Sequence, residues 1–302
     1  MTTEALYGDP LHDLVETAAD AKRFSPLVPG RDQIEDAPSA AFDRITVAAP
    51  AGVLERRFVL AHALRALKDD GELIALAPKD MGGSRLRKEL EAFGCAVNET
   101  ARRHHRICVV RKPADPIGLD AAIADGGPQV VETLGLWSQP GVFSWDRLDP
   151  GSAQLLPIAG DFSGRGADLG CGIGILSIAV LGSPNVVALT GVDIDRRAVL
   201  AAQHNLNDPR ARVIQHDLRE PPPGLEGLDF VVMNPPFHDG GQEDRRLGQI
   251  FIARAASMLR RGGLCRLVAN VGMPYEATLA ERFAAVRPLG VAGGYKLFEA
   301  RR

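Results

Sequence analysis

Two stretches of this 302-residue chain repeat the same order of residue types, and that repeat restricts the fold more than any other feature. FDRITVAAPAG (42–52) is followed by a helical run, ALKDDGELIALA, a second helical run and HHRICVVRK. LDFVVMNPPFH (228–238) is followed by a helical run, MLRRGGLCRLVAN, a second helical run and GYKLFEARR. Each copy predicts strand, helix, strand, helix, strand. The apolar runs Ile45–Ala49, Phe230–Met233 and Cys265–Ala269 do not alternate with polar residues. That suits strands buried on both faces of a largely parallel sheet, so the expected fold is α/β with two tandem units.

KPADPIGLDAAIADGGP (112–128) holds three Pro, three Gly and few large apolar residues, and it predicts a linker. The expected domains are therefore 1–128, ending in that linker, and 129–302. The first copy is the shorter. Only about forty residues precede Arg44 and none forms a glycine-rich turn, so it is expected to lack the front half that the second copy has.

Charge is unevenly spread. Residues 44–112 hold fourteen Lys/Arg against eight Asp/Glu, a net +6, while 1–43 carry −6 and 113–302 carry −3. The whole chain is −3, which excludes coating of a polyanion by bulk charge and leaves a local patch. Much of the basic segment also reads as a solvated helix face with i,i+4 opposite charges. Cys95, Cys108, Cys171 and Cys265 form no C-x-x-C pair, so neither a disulfide framework nor a metal site is expected. The first 24 residues lack an apolar core behind a basic region, and no apolar run reaches the roughly 20 residues of a membrane span. A cytoplasmic location is expected.

The candidate chemistry lies in the second half. Asp168-Leu169-Gly170-Cys171-Gly172-Ile173-Gly174 joins a strand end to an apolar helix. Alternate glycines let the backbone turn sharply and approach a ligand at a helix N-terminus. Alone, such a loop is as readily a plain turn. Nineteen residues past Gly174, the strand VALTGVD ends in Asp193, placed to take two ribose hydroxyls. Asp195 suits a helix cap better. A third strand, ARVIQHDL, ends at Asp217, either an acceptor for an adenine amino group or a turn residue. The fourth runs straight into Asn234-Pro235-Pro236-Phe237. Its prolines lock the backbone and remove two donors, so the corner presents acceptors at the carboxyl edge of a sheet, where ligands bind.

In these residues the chain resembles the class I S-adenosylmethionine-dependent methyltransferases with an N-P-P-[YF] motif, and within them the bacterial ribosomal RNA small-subunit guanine-N2 methyltransferase family. NPPFHDG with Gly241-Gln242, Pro140-Gly141-Val142-Phe143-Ser144, Leu148-Asp149, Gly151-Ser152 and the closing Gly294-Tyr295-Lys296-Leu297-Phe298 carry the resemblance. It covers about 130–302 closely and the first half more loosely. It implies two tandem Rossmann-like methyltransferase domains, the first degenerate, with Ala48-Ala49-Pro50-Ala51 in place of NPPF, and the second a seven-stranded, mostly parallel sheet.

The resemblance implies S-adenosylmethionine as cofactor. Asp168, Gly170, Cys171, Gly172, Gly174, Asp193, Ile194, Asp217, Leu218 and Asn234 would bind it, with Asp168 orienting its ammonium. It implies Asn234, Pro235, Pro236 and Phe237 as the catalytic group. The Asn234 oxygen and the Pro235 carbonyl would accept the amino hydrogens, and Phe237 would stack on the base. Positioning can supply up to about 7–11 kcal/mol, so no strong base is required and His238 reads as a loop residue. Phe143 reads equally as a cover for the cofactor or as core beside Trp137 and Trp145.

The partner implied is ribosomal RNA or a ribosomal subunit. Arg85, Arg87, Lys88, Arg102, Arg103 and Arg106 are candidate phosphate contacts, with Arg245 and Arg246 near the active loop. The rival readings are a glutamine-amide or adenine amino methyltransferase and, from another class, a non-catalytic module that binds S-adenosylmethionine or RNA.

Overall fold

The computed structural model describes residues 2–236, 238–239, 242–243 and 245–302. Its chain divides into two compact units. One runs up to Pro128 and includes Gln139–Gly141; the other comprises Gln129–Ser138 and Val142–Arg302.

The first unit contains β1 (Glu4–Tyr7), β2 (Lys22–Phe24), β3 (Phe42–Ala48), α1 (Val53–Ala66), β4 (Leu67–Pro78), α2 (Ser84–Ala92), β5 (Asn98–Arg102), β6 (His105–Arg111) and α3 (Leu119–Gly126). Its sheet order is β2-β1-β3-β4-β6-β5, parallel except where β6 pairs with its two neighbours. Helix α1 is buried along most of its length, from Arg56 to Ala66. Helix α2 buries only Leu86 and Leu90, four residues apart on one face.

The second unit opens with the hairpin β7 (Gln129–Val131) and β8 (Leu136–Ser138) and helix α4 (Pro150–Ala159). Then follow β9 (Gly164–Leu169), α5 (Ile175–Leu181), β10 (Val186–Asp193), α6 (Arg196–Asn205), β11 (Ala211–Gln215) and β12 (Leu228–Met233). A short pair, β13 (His238–Asp239) and β14 (Gln242–Glu243), leads to α7 (Arg245–Met258), β15 (Leu259–Asn270), α8 (Glu276–Arg282), β16 (Ala285–Ala292) and β17 (Tyr295–Arg301). The seven strands run β11-β10-β9-β12-β15-β17-β16, with β17 alone reversed.

The two sheets have one plan. Reading β1, β2, β3, β4, β5 and β6 as counterparts of β9, β10, β12, β15, β16 and β17 reproduces the order of both, the first lacking only a partner for β11. The tandem α/β architecture and the seven-stranded, mostly parallel second sheet are as expected. Two features differ. The first unit does retain a front half, as the short parallel strands β1 and β2, joined by turns instead of a helix. And the stretch 112–128 is not a plain linker. Residues 119–126 form α3 because Leu119, Ala122 and Ile123 share a face against the first core. Gly126 lets it close onto α1: a Cβ there would stand 2.4 Å from that of Phe58.

Candidate active site

The carboxyl ends of β9, β10 and β12 bring the predicted acids and the N-P-P corner to one edge of the second sheet. In pairing register, Asp168 faces Val232, two residues before Asn234, and Leu169 faces Val192, the residue before Asp193. Parallel pairing thus gathers residues separated by 25 and 66 positions of sequence.

The glycine turn is built from within. Gly170, Gly172 and Gly174 have φ of 73°, 53° and 91°, the left-handed region where side chains are strained. The N–H groups of Gly170 and Cys171 both donate to the Val192 carbonyl (2.8 and 3.1 Å). That of Gly172 donates to Asp193 Oδ2 (2.8 Å), and that of Gly174 to the Cys171 carbonyl (2.9 Å). Four N–H groups of this loop are therefore engaged within the protein. The glycines serve shape, and a Cβ on Gly172 would meet open space, so the backbone there borders an accessible cradle.

Asp168 is fully buried at the end of β9, which raises its carboxyl to about 7 although the Ser177 hydroxyl donates to Oδ2 at 2.7 Å. The negative charge of Asp193 adds to the rise. Oδ1 of Asp168 is buried with no partner in the described structure. An orphan acceptor held at this cost is what a cationic ligand group would satisfy. Asp193 is half-buried, accepts the Asp195 N–H on Oδ1 (2.9 Å), and burial raises it to about 6. These residues fit S-adenosylmethionine, whose ammonium and sulfonium are cationic and whose ribose needs acceptors.

Asp195 caps α6 through the Arg197 N–H at 2.9 Å. Asp217 follows β11, half-buried. Burial acts to raise its carboxyl, but the Arg219 guanidinium and N–H, each 2.9 Å away, hold it below the usual carboxylate range. The Leu218 side chain belongs to the core, its carbonyl accepts from Arg254 at 3.2 Å, and the Ile194 carbonyl accepts from Gln215 at 3.0 Å. Cys171 also points into core, so only backbone atoms of Cys171 and Leu218 remain for a ligand, while Ile194 is half-buried. Phe143 is 62% exposed and is not a core residue.

At the N-P-P corner, Asn234 Nδ2 donates to Asp149 Oδ2 at 2.7 Å and to Ser152 Oγ at 3.0 Å. Pro235 is buried and Pro236 half-buried. Phe237 and the side chain of His238 lie outside the described residues.

The first unit has the same edge without the candidate residues. By strand register, Leu6 stands for Asp168, Ser25 for Asp193 and Ala48 for Asn234. Gly8, with φ of 72°, keeps the left-handed conformation of Gly170. Arg56, fully buried, donates through Nη1 to the Pro50 and Ala51 carbonyls (2.9 and 2.7 Å), the positions matching Pro236 and Phe237. Its guanidinium thus ties down the backbone just after the counterparts of Asn234 and Pro235. Of the proposed phosphate contacts, Arg87 pairs with Glu91, Arg103 with Asp13 and Arg106 with Glu99.

A sheet in this order, reversed only at its penultimate position, is that of the class I S-adenosylmethionine-dependent methyltransferases. A family model described as the methyltransferase small domain matches residues 133–299. The ribosomal RNA small subunit methyltransferase C of Pseudomonas paraeruginosa is 34% identical over 298 residues, covering 94% of this chain and 87% of that protein. That of Pseudomonas aeruginosa is 33% identical over 303 residues with the same coverage. Among solved structures, the T. thermophilus 16S rRNA N2 G1207 methyltransferase in complex with AdoMet and guanosine matches with a TM-score of 0.80 and 26% identity. The match spans 100% of this chain and 88% of that one. The chain belongs to the ribosomal RNA small subunit methyltransferase C family.

Proposed function

We propose that this chain methylates the exocyclic N2 of a guanine in small-subunit ribosomal RNA, with S-adenosylmethionine as donor. The observation that carries the reading is the state of Asn234: its Nδ2 is tied to Asp149 and Ser152, which leaves Oδ1 as the acceptor it can offer. A guanine amino group is a weak nucleophile because its lone pair is delocalised into the ring. Asn234 Oδ1 and the Pro235 carbonyl would each accept one amino hydrogen, pulling the nitrogen towards tetrahedral geometry with its lone pair on the open side. Phe237 would stack on the base.

Bound S-adenosylmethionine supplies an electrophilic methyl group on its sulfonium. Asp168 would meet its positive charge, Asp193 its ribose hydroxyls, and Asp217 its adenine amino group, with the backbone of Cys171, Ile194 and Leu218 beside them. The amino nitrogen would take that methyl through the lone pair that Asn234 and Pro235 expose, and its spare proton would leave to water. No strong general base is required, because alignment supplies most of the acceleration.

A base in RNA must be unstacked to reach such a corner, at a cost of a few kcal/mol. Arg85, Lys88 and Arg102, exposed on the first unit, are the phosphate contacts that support this substrate. A cytoplasmic setting fits the four free cysteines.

The test is to incubate the protein with labelled S-adenosylmethionine and small-subunit ribosomal RNA, naked or assembled, and digest the product to nucleosides. Label in N2-methylguanosine is expected. Label in methyladenosine, in protein glutamine, or nowhere would overturn the reading.

A further inference from the structure

The amide of Asn234 does not stand alone. Its nitrogen sits 2.7 Å from Asp149 Oδ2 and 3.0 Å from Ser152 Oγ, so both amide hydrogens have acceptors 82 and 85 residues earlier in the chain. Asp149 is the N-cap of α4, where Oδ2 also receives the Ser152 N–H at 2.7 Å. Such a cap contributes to the helix in any protein, and Asn serves the purpose as well as Asp. A bond to a distant, reacting amide is not part of capping.

Asp149 is buried, 8% exposed. Tyr295 covers it: a Cβ on Gly151 would lie 2.9 Å from the Tyr295 ring and 3.0 Å from Asp149 Oδ2, so only glycine allows that approach. The Tyr295 hydroxyl is raised above its ordinary pKa by burial and then by the negative charge of Asp149. The carboxylate therefore acts at short range in a partly dry corner, where a charge-assisted bond is stronger than in water.

We propose that Asp149 is a positioning residue for methyl transfer: with Ser152 it fixes the Asn234 amide nitrogen inward, turns Oδ1 to the substrate amino group, and strengthens Oδ1 as an acceptor. An amide whose N–H groups donate to an anion shifts electron density to its oxygen. Without the anion, the amide is free to rotate by half a turn and present N–H groups to a group that also donates. The inference rests on the amino-methylation reading and specifies how its acceptor is held.

The experiment compares Asp149→Asn, Asp149→Ala and Ser152→Ala with the wild-type protein by single-turnover methyl transfer, calorimetric S-adenosylmethionine affinity and thermal unfolding. Asp149→Asn keeps a capping side chain and removes the charge. It is expected to lower the transfer rate about 30- to 100-fold, in the range of a lost charge-assisted hydrogen bond, with the cofactor Kd within about two-fold. Asp149→Ala should be as slow and should also lose thermal stability. Ser152→Ala should show a smaller loss.

Transfer in Asp149→Asn at the wild-type rate would mean that Asp149 only caps a helix, and would overturn the proposal. So would a parallel loss of cofactor affinity, which would place Asp149 at the cofactor. The comparison uses whichever amino group the wild-type protein labels, so a product other than N2-methylguanosine sinks the functional reading and leaves this test in force. A third readout needs no turnover. In 15N-labelled protein, Asp149→Asn should shift the Asn234 side-chain amide resonances, and an unchanged pair would contradict the proposed contact.

Discussion

Arg56 and Glu89 form a buried two-point ion pair in the first unit, with Nε and Nη2 of the arginine 2.6 and 2.7 Å from the carboxylate oxygens. The third nitrogen holds the Pro50 and Ala51 carbonyls. In the second unit the matching backbone belongs to the N-P-P corner, and no arginine follows it at the equivalent place. The edge proposed to carry the reaction in one copy is a structural lock in the other.

Removing that lock should cost stability alone. Arg56→Ala leaves a carboxylate and two carbonyls without their donor, and breaking a buried pair in this way costs roughly 3–5 kcal/mol. In urea unfolding the transition of the first unit should move to lower denaturant, while calorimetry should find S-adenosylmethionine affinity unchanged.

Asp193 is expected to govern cofactor affinity. Asp193→Ala removes the acceptors proposed for the ribose hydroxyls and releases the Gly172 N–H, so affinity should fall about ten- to a hundred-fold, as for loss of one charged hydrogen bond of roughly 1.5–3 kcal/mol. An unchanged calorimetric Kd would remove Asp193 from the site.

Burial lifts the Asp168 carboxyl from 3.8 to about 7, and this has two consequences of opposite sign. Between those values the folded protein without cofactor holds a proton that the unfolded chain has released, so its stability should fall as pH rises through that window. A cationic ligand favours the ionised carboxylate, so S-adenosylmethionine affinity should rise from about pH 6 to about pH 8, with proton release on binding. Calorimetry in buffers of different ionisation enthalpy measures the release. Asp168→Asn should flatten both trends.

If the first unit grips phosphates, affinity for ribosomal RNA should fall steeply with salt, and the triple substitution of Arg85, Lys88 and Arg102 by Ala should lower the slope by roughly two to three. A flat salt response measured by filter binding would contradict RNA as the substrate.

Much of this was legible in the sequence because the second unit follows strong local rules. Non-alternating apolar runs mark buried parallel strands, and the Gly170–Gly174 turn and the Asn234-Pro235-Pro236 corner are contiguous. What stayed hidden was short or distant. Strands β1 and β2 span four and three residues, too few for a periodicity to emerge. Helix α3 looked like a linker because Gly126 is there for close packing on Phe58, not for flexibility. The tie between Asp149 and Asn234 crosses 85 residues, and only the tertiary fold supplies it. The first unit's counterparts of Asp168 and Asp193 were likewise invisible until strand register aligned Leu6 and Ser25 with them, whereas Ala48 in place of Asn234 could be read from the repeat itself.

The decisive measurement is the transfer rate of Asn234→Ala set against its affinity for S-adenosylmethionine. If the amide oxygen holds the substrate amino group, single-turnover transfer to ribosomal RNA should drop about a hundred-fold or more, while the cofactor Kd stays within about two-fold. Transfer that persists near the wild-type rate would contradict the role assigned to this corner.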